Sequence, residues 1–512
     1  MTFPLYLKEQ KLGLILQISK SDYMLYMKHP AWLWLKKHDN NSLPLPDDNL
    51  KARFANGNNY EPYVEQLFPN AVKLGWDIAK NGSYDELVNK TNIEIEKGTK
   101  TIFQGRFLID NLTFICDIID KTENGTFDLY EIKATTKVKD NEHLPDLSFQ
   151  EIIMERLGYK INRIYVVHLN NKYSKKGPID INKLSIIEDK TNDVKALKTV
   201  TEENIERAIE VAKSTTRPDL SLRHLGITNY KNEWKEIFKS LNSNIPEYSI
   251  YDLAGSNNSL IEKMEDMGIT ALSEIPEESK VSGNKAKTQI KITKEDKLII
   301  DKPQICKFLD DLEFPLHFLD YETFSIAIPP YDDIRPYQQV VFQYSLHILD
   351  APDAELKHFT YLHTEDSNPI EPLTNSLMEA IGTKGSVIVW HKNFERDRNK
   401  EMGNHSTHFF KFYQDINDRL VDLKIPFDKD WYATKEFKGS ASIKNVLPIL
   451  VPELSYKNLE IQDGLTTSRI WVETLIEGKH DDQRENKFED MLKYNTIDTL
   501  AMFEIWKVLN SL

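Results

Sequence analysis

The chain has 512 residues, 40% of them hydrophobic, and a formal net charge of −15 at pH 7. That length suits about two to four domains, and the acidic balance excludes a wholesale nucleic-acid coat, leaving phosphate contacts to local basic patches. Two cysteines, Cys116 and Cys306, exclude a disulfide framework and a thiolate zinc or iron–sulfur site, and they fit a reducing cytoplasm.

The opening MTFPLYLKEQKLGLIL lacks the layout of a secretory leader, because Lys8 and Lys11 break its apolar run. No stretch approaches the ~18 apolar residues of a membrane span, so no membrane contact is expected. Ser21 predicts the cap of a helix through DYMLYMKHPAWLWLKK, interrupted or restarted at Pro30. Its stripe of Tyr, Trp and Leu reads as core. After a loop over 40–50, a second helix is expected over 59–67, ending before Pro69. A strand-rich block follows: TIFQGRFLI (101–109), LTFICDIID (112–120) and TFDLYEIKAT (126–135), with turns at Asp110–Asn111 and Asn124–Gly125. Glu131 and Lys133 share a face of the third strand. A plain two-residue loop would pair Asp117 with Ile132 and turn it to the wrong face. A bulge with Gly125 in the left-handed region pairs it with Glu131, and that form is predicted.

Asp117 and Glu131 are then placed to hold Mg²⁺, with Lys133 orienting a water and offsetting charge on a phosphate. Lys137 and Lys139 follow at once as charge for phosphate. DLSFQEIIMERLGY reads as a helix with Asp146 and Gln150 one turn apart, and IYVVHL (164–169) as the next strand. This order of strand, strand, helix and strand resembles the PD-(D/E)XK nucleases of the RecB exonuclease type. The resemblance implies Asp117 and Glu131 as metal ligands, Lys133 as the catalytic lysine and Gln150 as a site glutamine. It also implies an acid or histidine on an upstream helix, for which Glu61 and Glu65 both stand as candidates. Many proteins of that type carry a four-cysteine iron–sulfur cluster. Here His29 stands at the early position and RHLGITNYKNEWKEIF (223–238) has no cysteine, so no iron–sulfur cluster is expected. Packing by Tyr230, Trp234 and Phe238 is expected to close the domain instead.

The stretch SLIEKMEDMGITALSEIP predicts two short helices with a stop at Gly268, and EESKVSGNKAKTQIKITKEDK (277–297) reads as a solvated, lysine-rich linker. Beyond it, LHFLDYE (316–322) predicts a buried strand ending in two acids. Leu316, Phe318, Asp320 and Glu322 share one face, and His317, Leu319 and Tyr321 the other. An apolar face running into two carboxylates is costly without a positive partner, and a divalent cation is the simplest one. Strands over 337–349 and 355–363, a helix over 369–382, the strand SVIVWH (386–391) and further helices follow. Glu395 and Asp397 lie just past that last strand, where an α/β sheet places ligands. The final helix, KFEDMLKYNTIDTLAMFEIW (487–506), puts Tyr494 and Asp498 on one side, next to an apolar face with Leu492, Leu500 and Phe503.

Asp320–Tyr321–Glu322, Asn393–Phe394–Glu395 and Tyr494-x-x-x-Asp498 together resemble the tyrosine branch of the DEDD exonucleases over about 303–510. The resemblance implies a ribonuclease H-like fold and two-metal hydrolysis of phosphodiester bonds from a 3′ end. Asp320, Glu322, Glu395 and Asp498 would hold two Mg²⁺ or Mn²⁺ ions, and Tyr494 would orient the attacking water. Glu395 stands where that group normally has Asp, and Asp422, in DRLVDLKIPF, is a rival or additional acid. Lys438, Lys444 and Trp431 are candidates for gripping a strand. The expected molecule is therefore an α/β protein of two nuclease domains. A restriction-endonuclease-like mixed sheet with flanking helices occupies 1–240, and a helical hairpin and linker occupy 241–302. A ribonuclease H-like mixed sheet with helices occupies 303–512. Phrases such as FKGSASIKNVLPILVPELSYKNLEIQDG make the whole similar to an uncharacterised bacterial family of fused nucleases. DNA is the expected partner, with RNA left open. Two competing readings are a nucleic-acid-binding scaffold without chemistry, and a protein with only one active half.

Overall fold

The computed structural model describes residues 17–75, 84–255 and 257–512; the opening segment read above for a leader lies outside them. The chain is mixed α/β and forms two compact units. The first runs to Ser243, except for Asp48–Ala52 and Ser174–Gly177, which group with the second, Asn244–Leu512.

In the first unit, Ser19 rather than Ser21 caps the helix Lys20–Lys28. Its hydroxyl accepts from Asp22 N at 3.1 Å while the Asp22 carboxylate accepts from Ser19 N at 3.0 Å. This reciprocal box needs an acid three residues on, which Ser19 has and Ser21, followed there by Met24, does not. His29 is extended, as a residue before proline must be, and Pro30–His38 restarts the helix. The expected helix over 59–67 is only Glu61–Glu65, preceded by a separate helix Asp48–Asn58.

Among the described residues, nine strands of this unit form two sheets. They are β1 (Ile18–Ser19), β2 (Val72–Lys73), β3 (Thr101–Phe103), β4 (Arg106–Ile109), β5 (Leu112–Ile115), β6 (Ile118–Lys121), β7 (Phe127–Lys133), β8 (Ile161–Leu169) and β9 (Ser185–Asp189). The sheet orders are β1-β5-β4 and β2-β3-β6-β7-β8-β9. Each of the two long strands expected over 101–120 therefore breaks in the middle. Gln104 takes a left-handed φ of 55° beside Gly105, and the ribbon passes from one sheet to the other there. The hairpin stays joined through Gln104 N donating to Asp117 O and Cys116 N donating to Gly105 O, both at 3.0 Å. The turn between β6 and β7 has the bulged form: Thr122 N donates to Thr126 O, and Gly125 has φ 75°. Ile118 pairs with Tyr130, so Asp117 comes level with Glu131. The helix Asp140–Arg156 begins six residues before the expected DLSFQ run and carries the chain from β7 to the parallel β8.

In the second unit, β10 (Ile299–Ile300) pairs with a late strand, and the main sheet is built from β11 (Leu316–Phe324), β12 (Val340–Leu349), β13 (Lys357–Leu362), β14 (Val387–Val389) and β15 (Leu420–Asp422). The partner of β10 is β16 (Tyr432–Ala433). The main sheet has the order β13-β12-β11-β14-β15; β13, β12 and β11 are antiparallel neighbours, while β14 and β15 run parallel to β11. The short β15 was not anticipated. One face of β11 and β12 packs against the 27-residue helix Arg484–Asn510: Phe318 meets Phe503 at 5.6 Å, and Gln343 Nε2 donates to Met491 O at 2.9 Å. The buried stripe of that helix is Phe488, Met491, Tyr494, Asp498, Met502 and Ile505. Leu492, Leu500 and Phe503, expected to form it, are half-buried.

The lysine-rich stretch is not a bare linker. Asn284–Glu295 is a helix that buries Ala286, Gln289, Ile290 and Ile292, and Lys285 Nζ donates to Phe427 O at 2.6 Å. Of the two helices expected before it, Asn258–Asp266 forms and stops at Gly268 (φ 72°), but Leu272–Glu274 is a single 3₁₀ turn.

Candidate functional site

Strand β11 delivers Asp320 and Glu322 to the face covered by the long helix, which delivers Asp498. One carboxylate oxygen from each of the three lies within 4.8 Å of the others. No lysine or arginine pairs with them at ion-pair distance among the described residues. Neutral donors hold them instead: Asn495 Nδ2 donates to Asp320 Oδ2 at 2.6 Å, and the Tyr456 hydroxyl donates to Asp498 Oδ1 at 2.6 Å. Burial, and then the charge of Asp498, push Asp320 and Glu322 well above the carboxylate range; burial pushes Asp498 to about 6. Tyr494, one turn before Asp498, is 4% exposed, and its hydroxyl is held well above the usual phenol range by burial and by the Asp498 charge.

Glu395 sits in the first turn of the helix Lys392–Gly403, capped by His391. It is 3% exposed, and its Oε2 has no hydrogen-bond partner among the described residues. Burial pushes its carboxyl up to about 8, and its charge acts on Asp320. Asp422, at the end of β15, is differently placed. Its two oxygens accept from Lys392 N at 3.1 Å and Lys424 N at 3.0 Å, so it braces the start of that helix. Asp397 is exposed beside Lys400. Lys444 lies 5.8 Å from the Tyr494 ring and 6.0 Å from that of Tyr456, and its Nζ donates to Gln462 O at 2.8 Å. Lys438 pairs with Glu247 at 3.3 Å, and Trp431 packs on Phe308. Sequence reasoning passed over Asn495, Tyr456 and Gly464. A Cβ on Gly464 would stand 3.1 Å from Glu322 Oε2. Asn495 could have been found as the neighbour of Tyr494; nothing in SYKNLE marks Tyr456.

In the first unit, β7 and the helix Asp140–Arg156 bring Glu131, Lys133, Asp146 and Gln150 together. Lys133 Nζ donates to Glu131 Oε1 at 2.7 Å and to Asp146 Oδ2 at 2.8 Å. Gln150 Nε2 donates to Glu131 Oε2 at 2.7 Å and to Asp146 Oδ1 at 3.0 Å. Asp117 joins them at the β6 break, where its Oδ2 accepts from Ile132 N at 2.7 Å. Burial, with the Glu131 charge next, pushes Asp117 to about 7. Glu131 is held low despite its burial, chiefly by Lys133 and then Lys20. Lys20, at the start of its helix, was not anticipated; its Nζ donates to the same Glu131 Oε1 at 2.8 Å. Of the two upstream acids, Glu61 feels the Glu131 charge and accepts from Gln104 Nε2 at 3.3 Å, whereas Glu65 pairs with Lys73. Lys137 is exposed, and Lys139 lies 3.5 Å from Glu142. His29 stacks on Trp234 at 3.9 Å between ring centroids and bonds to Ser221 O through Nε2 at 3.0 Å. Trp234 and Phe238 are buried, and Tyr230 lies beneath the Lys28 ammonium.

Residues 317–442 match a family described as a domain of unknown function, DUF2779. That span holds Asp320, Glu322, Glu395 and Asp422, but not Asp498. An uncharacterised protein of Mycoplasma pneumoniae is 24% identical over 205 residues, which are 37% of this chain and 31% of that protein. An uncharacterised protein of Ureaplasma parvum is 28% identical over 213 residues, 37% of this chain and 30% of its own. Another, of Mycoplasma genitalium, is 26% identical over 208 residues, 37% of this chain and 31% of its own. The chain thus matches under a third of the length of these relatives. No helix among the described residues is long and apolar enough to cross a membrane.

Proposed function

We propose that the chain is a divalent-cation-dependent nuclease whose second unit hydrolyses phosphodiester bonds from the 3′ end of a nucleic acid, DNA in the first instance. The observation that carries this is the meeting of Asp320, half-buried, with the buried Glu322 and Asp498, with no lysine or arginine at ion-pair distance among the described residues. Like charges buried together are strongly penalised unless protonated or bound to metal. An all-oxygen donor set suits Mg²⁺ or Mn²⁺, and the partnerless Glu395 Oε2 fits a fourth ligand. Bound there, such ions would acidify a water and offset the charge developing on a phosphate. The chain's own residues do the positioning. Asn495 and Tyr456 fix the Asp320 and Asp498 carboxylates; the Tyr494 hydroxyl, held protonated, donates toward Asp498 and is placed to orient a water. The Lys444 ammonium beside both rings is available to a phosphate. The ribonuclease H-like reading is supported by the main sheet, with three antiparallel strands followed by two parallel ones and acids on the central β11.

A second reading gives the first unit an activity of its own, as a PD-(D/E)XK nuclease. It is favoured by the convergence of Asp117, Glu131, Lys133 and Gln150 around the β7–helix–β8 crossover. Release of nucleotides from end-labelled single-stranded DNA with Mn²⁺, against an EDTA control, tests both. Asp320→Ala is expected to abolish 3′ release that Lys133→Ala leaves intact. A wild-type chain inert with Mg²⁺ and Mn²⁺, or an Asp320→Ala variant as active as wild type, overturns the proposal.

A further inference from the structure

In the first unit three carboxylates, Asp117, Glu131 and Asp146, face two ammonium groups, those of Lys20 and Lys133. Both ammoniums touch a single oxygen, Glu131 Oε1, at 2.8 and 2.7 Å. Two like charges on one oxygen repel each other, so one of them is the weaker tenant. Lys133 has a second short contact, 2.8 Å to Asp146 Oδ2, and stands on the sheet strand β7. Lys20 reaches Asp146 Oδ1 only at 3.6 Å and stands in the first turn of a helix. Gln150 spends its amide nitrogen on Glu131 and Asp146, while its buried Oε1 has no partner among the described residues.

We infer that the Lys20 ammonium is a built-in counter-ion that stands where a divalent cation would bind between Glu131 and Asp146, so that cation entry requires Lys20 to leave. The inference rests on reading the first unit's acids as a cation site; it is independent of the second unit. It separates the two lysines by role. Lys133 is the fixed partner of the acids, and Lys20 is a displaceable one that keeps the site neutralised when no cation is bound. With all three carboxylates ionised and Lys20 in place the cluster carries one net negative charge, too little to hold two divalent ions. With Lys20 withdrawn it carries two, and the partnerless Gln150 Oε1 is one more neutral oxygen close by. The first unit is therefore expected to take a single Mg²⁺ or Mn²⁺ weakly. The second unit's acids, which no lysine or arginine among the described residues approaches at ion-pair distance, are expected to fill at lower concentration.

The test uses the full chain carrying Asp320→Asn and Asp498→Asn, so that Mn²⁺ binding at the first unit is read by itself. In that background, calorimetric titration should show Lys20→Met binding Mn²⁺ about tenfold or more tighter than the parent, and Lys20→Arg no tighter than the parent. Equal or weaker binding by Lys20→Met overturns the inference and leaves the second unit's reading standing. Should Lys20→Met fail to fold, the wild-type chain decides. The Lys20 amine is labelled with an acylating reagent and quantified by mass spectrometry with and without Mn²⁺. Labelling of Lys20 should rise severalfold at saturating Mn²⁺ while that of Lys133 does not. No rise at Lys20 overturns the inference.

Discussion

Replacing Glu395 by Gln should change the sign of its effect between metal-free and metal-loaded protein. Glu395 is 3% exposed, and burial holds its carboxyl at about 8 against an ordinary 4.5. The folded chain then keeps a proton that the unfolded chain has lost above about pH 4.5. Its stability therefore falls as pH rises from about 4.5 toward about 8, by up to ~1.4 kcal/mol per pH unit. Summed over that window, the ceiling is ~5 kcal/mol. Glu395→Gln removes the ionisation but puts an amide where Oε2 has no partner, which costs ~1–3 kcal/mol. In EDTA the variant should thus be more stable than wild type by ~2–4 kcal/mol at pH 8, and less stable by up to ~2 kcal/mol at pH 5. For a unit of this size that is a rise in melting temperature of several degrees, at ~2–4 °C per kcal/mol. With Mn²⁺ at a hundredfold excess over Kd, wild type should gain ~2.7 kcal/mol by mass action, and the variant, short of a ligand, clearly less. Thermal melts followed by circular dichroism at both pH values, in EDTA and in Mn²⁺, give all four numbers. A variant that melts below wild type in EDTA at pH 8, or a gap that does not close toward pH 5, refutes the reasoning.

Tyr456→Phe removes the 2.6 Å donor to Asp498; hydrogen bonds to charged groups contribute ~1.5–3 kcal/mol, so urea unfolding should show a loss of that size. The same variant should need more Mn²⁺ for half-maximal nucleotide release, and an unchanged requirement would count against the positioning role. Gly464→Ala puts a Cβ 3.1 Å from Glu322 Oε2. Displacing that oxygen by a few tenths of an ångström should cut release about tenfold with little change in melting temperature; full activity would remove Glu322 from the site. Lys133→Ala leaves Glu131 and Asp146 sharing the weaker ion partner, Lys20, and breaking a buried ion pair costs ~3–5 kcal/mol. Unfolding of metal-free protein should show a loss near the lower end of that range, with 3′ release by the second unit preserved.

What could be read in advance follows from how local each feature is. The alternation in LHFLDYE fixes which side chains share a face, so the placing of Asp320 and Glu322 needed no tertiary information. The register of Asp117 against Glu131 was legible because one glycine, Gly125, can supply the left-handed residue the bulge requires. The break of β3 from β4 was not. It depends on Gln104 adopting φ 55°, a conformation that a non-glycine residue does not announce. The cap at Ser19 was legible and missed, since its acid three residues on stands in the sequence. The packing of Asn284–Glu295 was hidden because its lysines outnumber the few apolar positions that fix the helix face. Tyr456 and Lys20 lie 42 and 111 residues from the acids they touch, and no spacing rule reaches that far.

The two acid clusters solve one electrostatic problem in opposite ways. In the second unit the neutral donors Asn495 and Tyr456 orient carboxylates without cancelling their charge, and Lys444 acts on Glu322 and Asp498 only from beyond ion-pair distance, so most of the cost of gathering them remains until a cation or protons arrive. In the first unit Lys20 and Lys133 cancel most of that charge within the fold. Removing divalent ions should therefore act unequally. Chelation at pH 8 should lower the stability of the second unit and leave the first almost untouched. Amide hydrogen exchange resolves the two within one chain: in EDTA, protection should fall along β11 and the Arg484–Asn510 helix but hold along β7 and the Asp140–Arg156 helix. Equal loss in both would mean that the lysines do not neutralise the first cluster. Loss in neither would mean that the second cluster never depended on a cation.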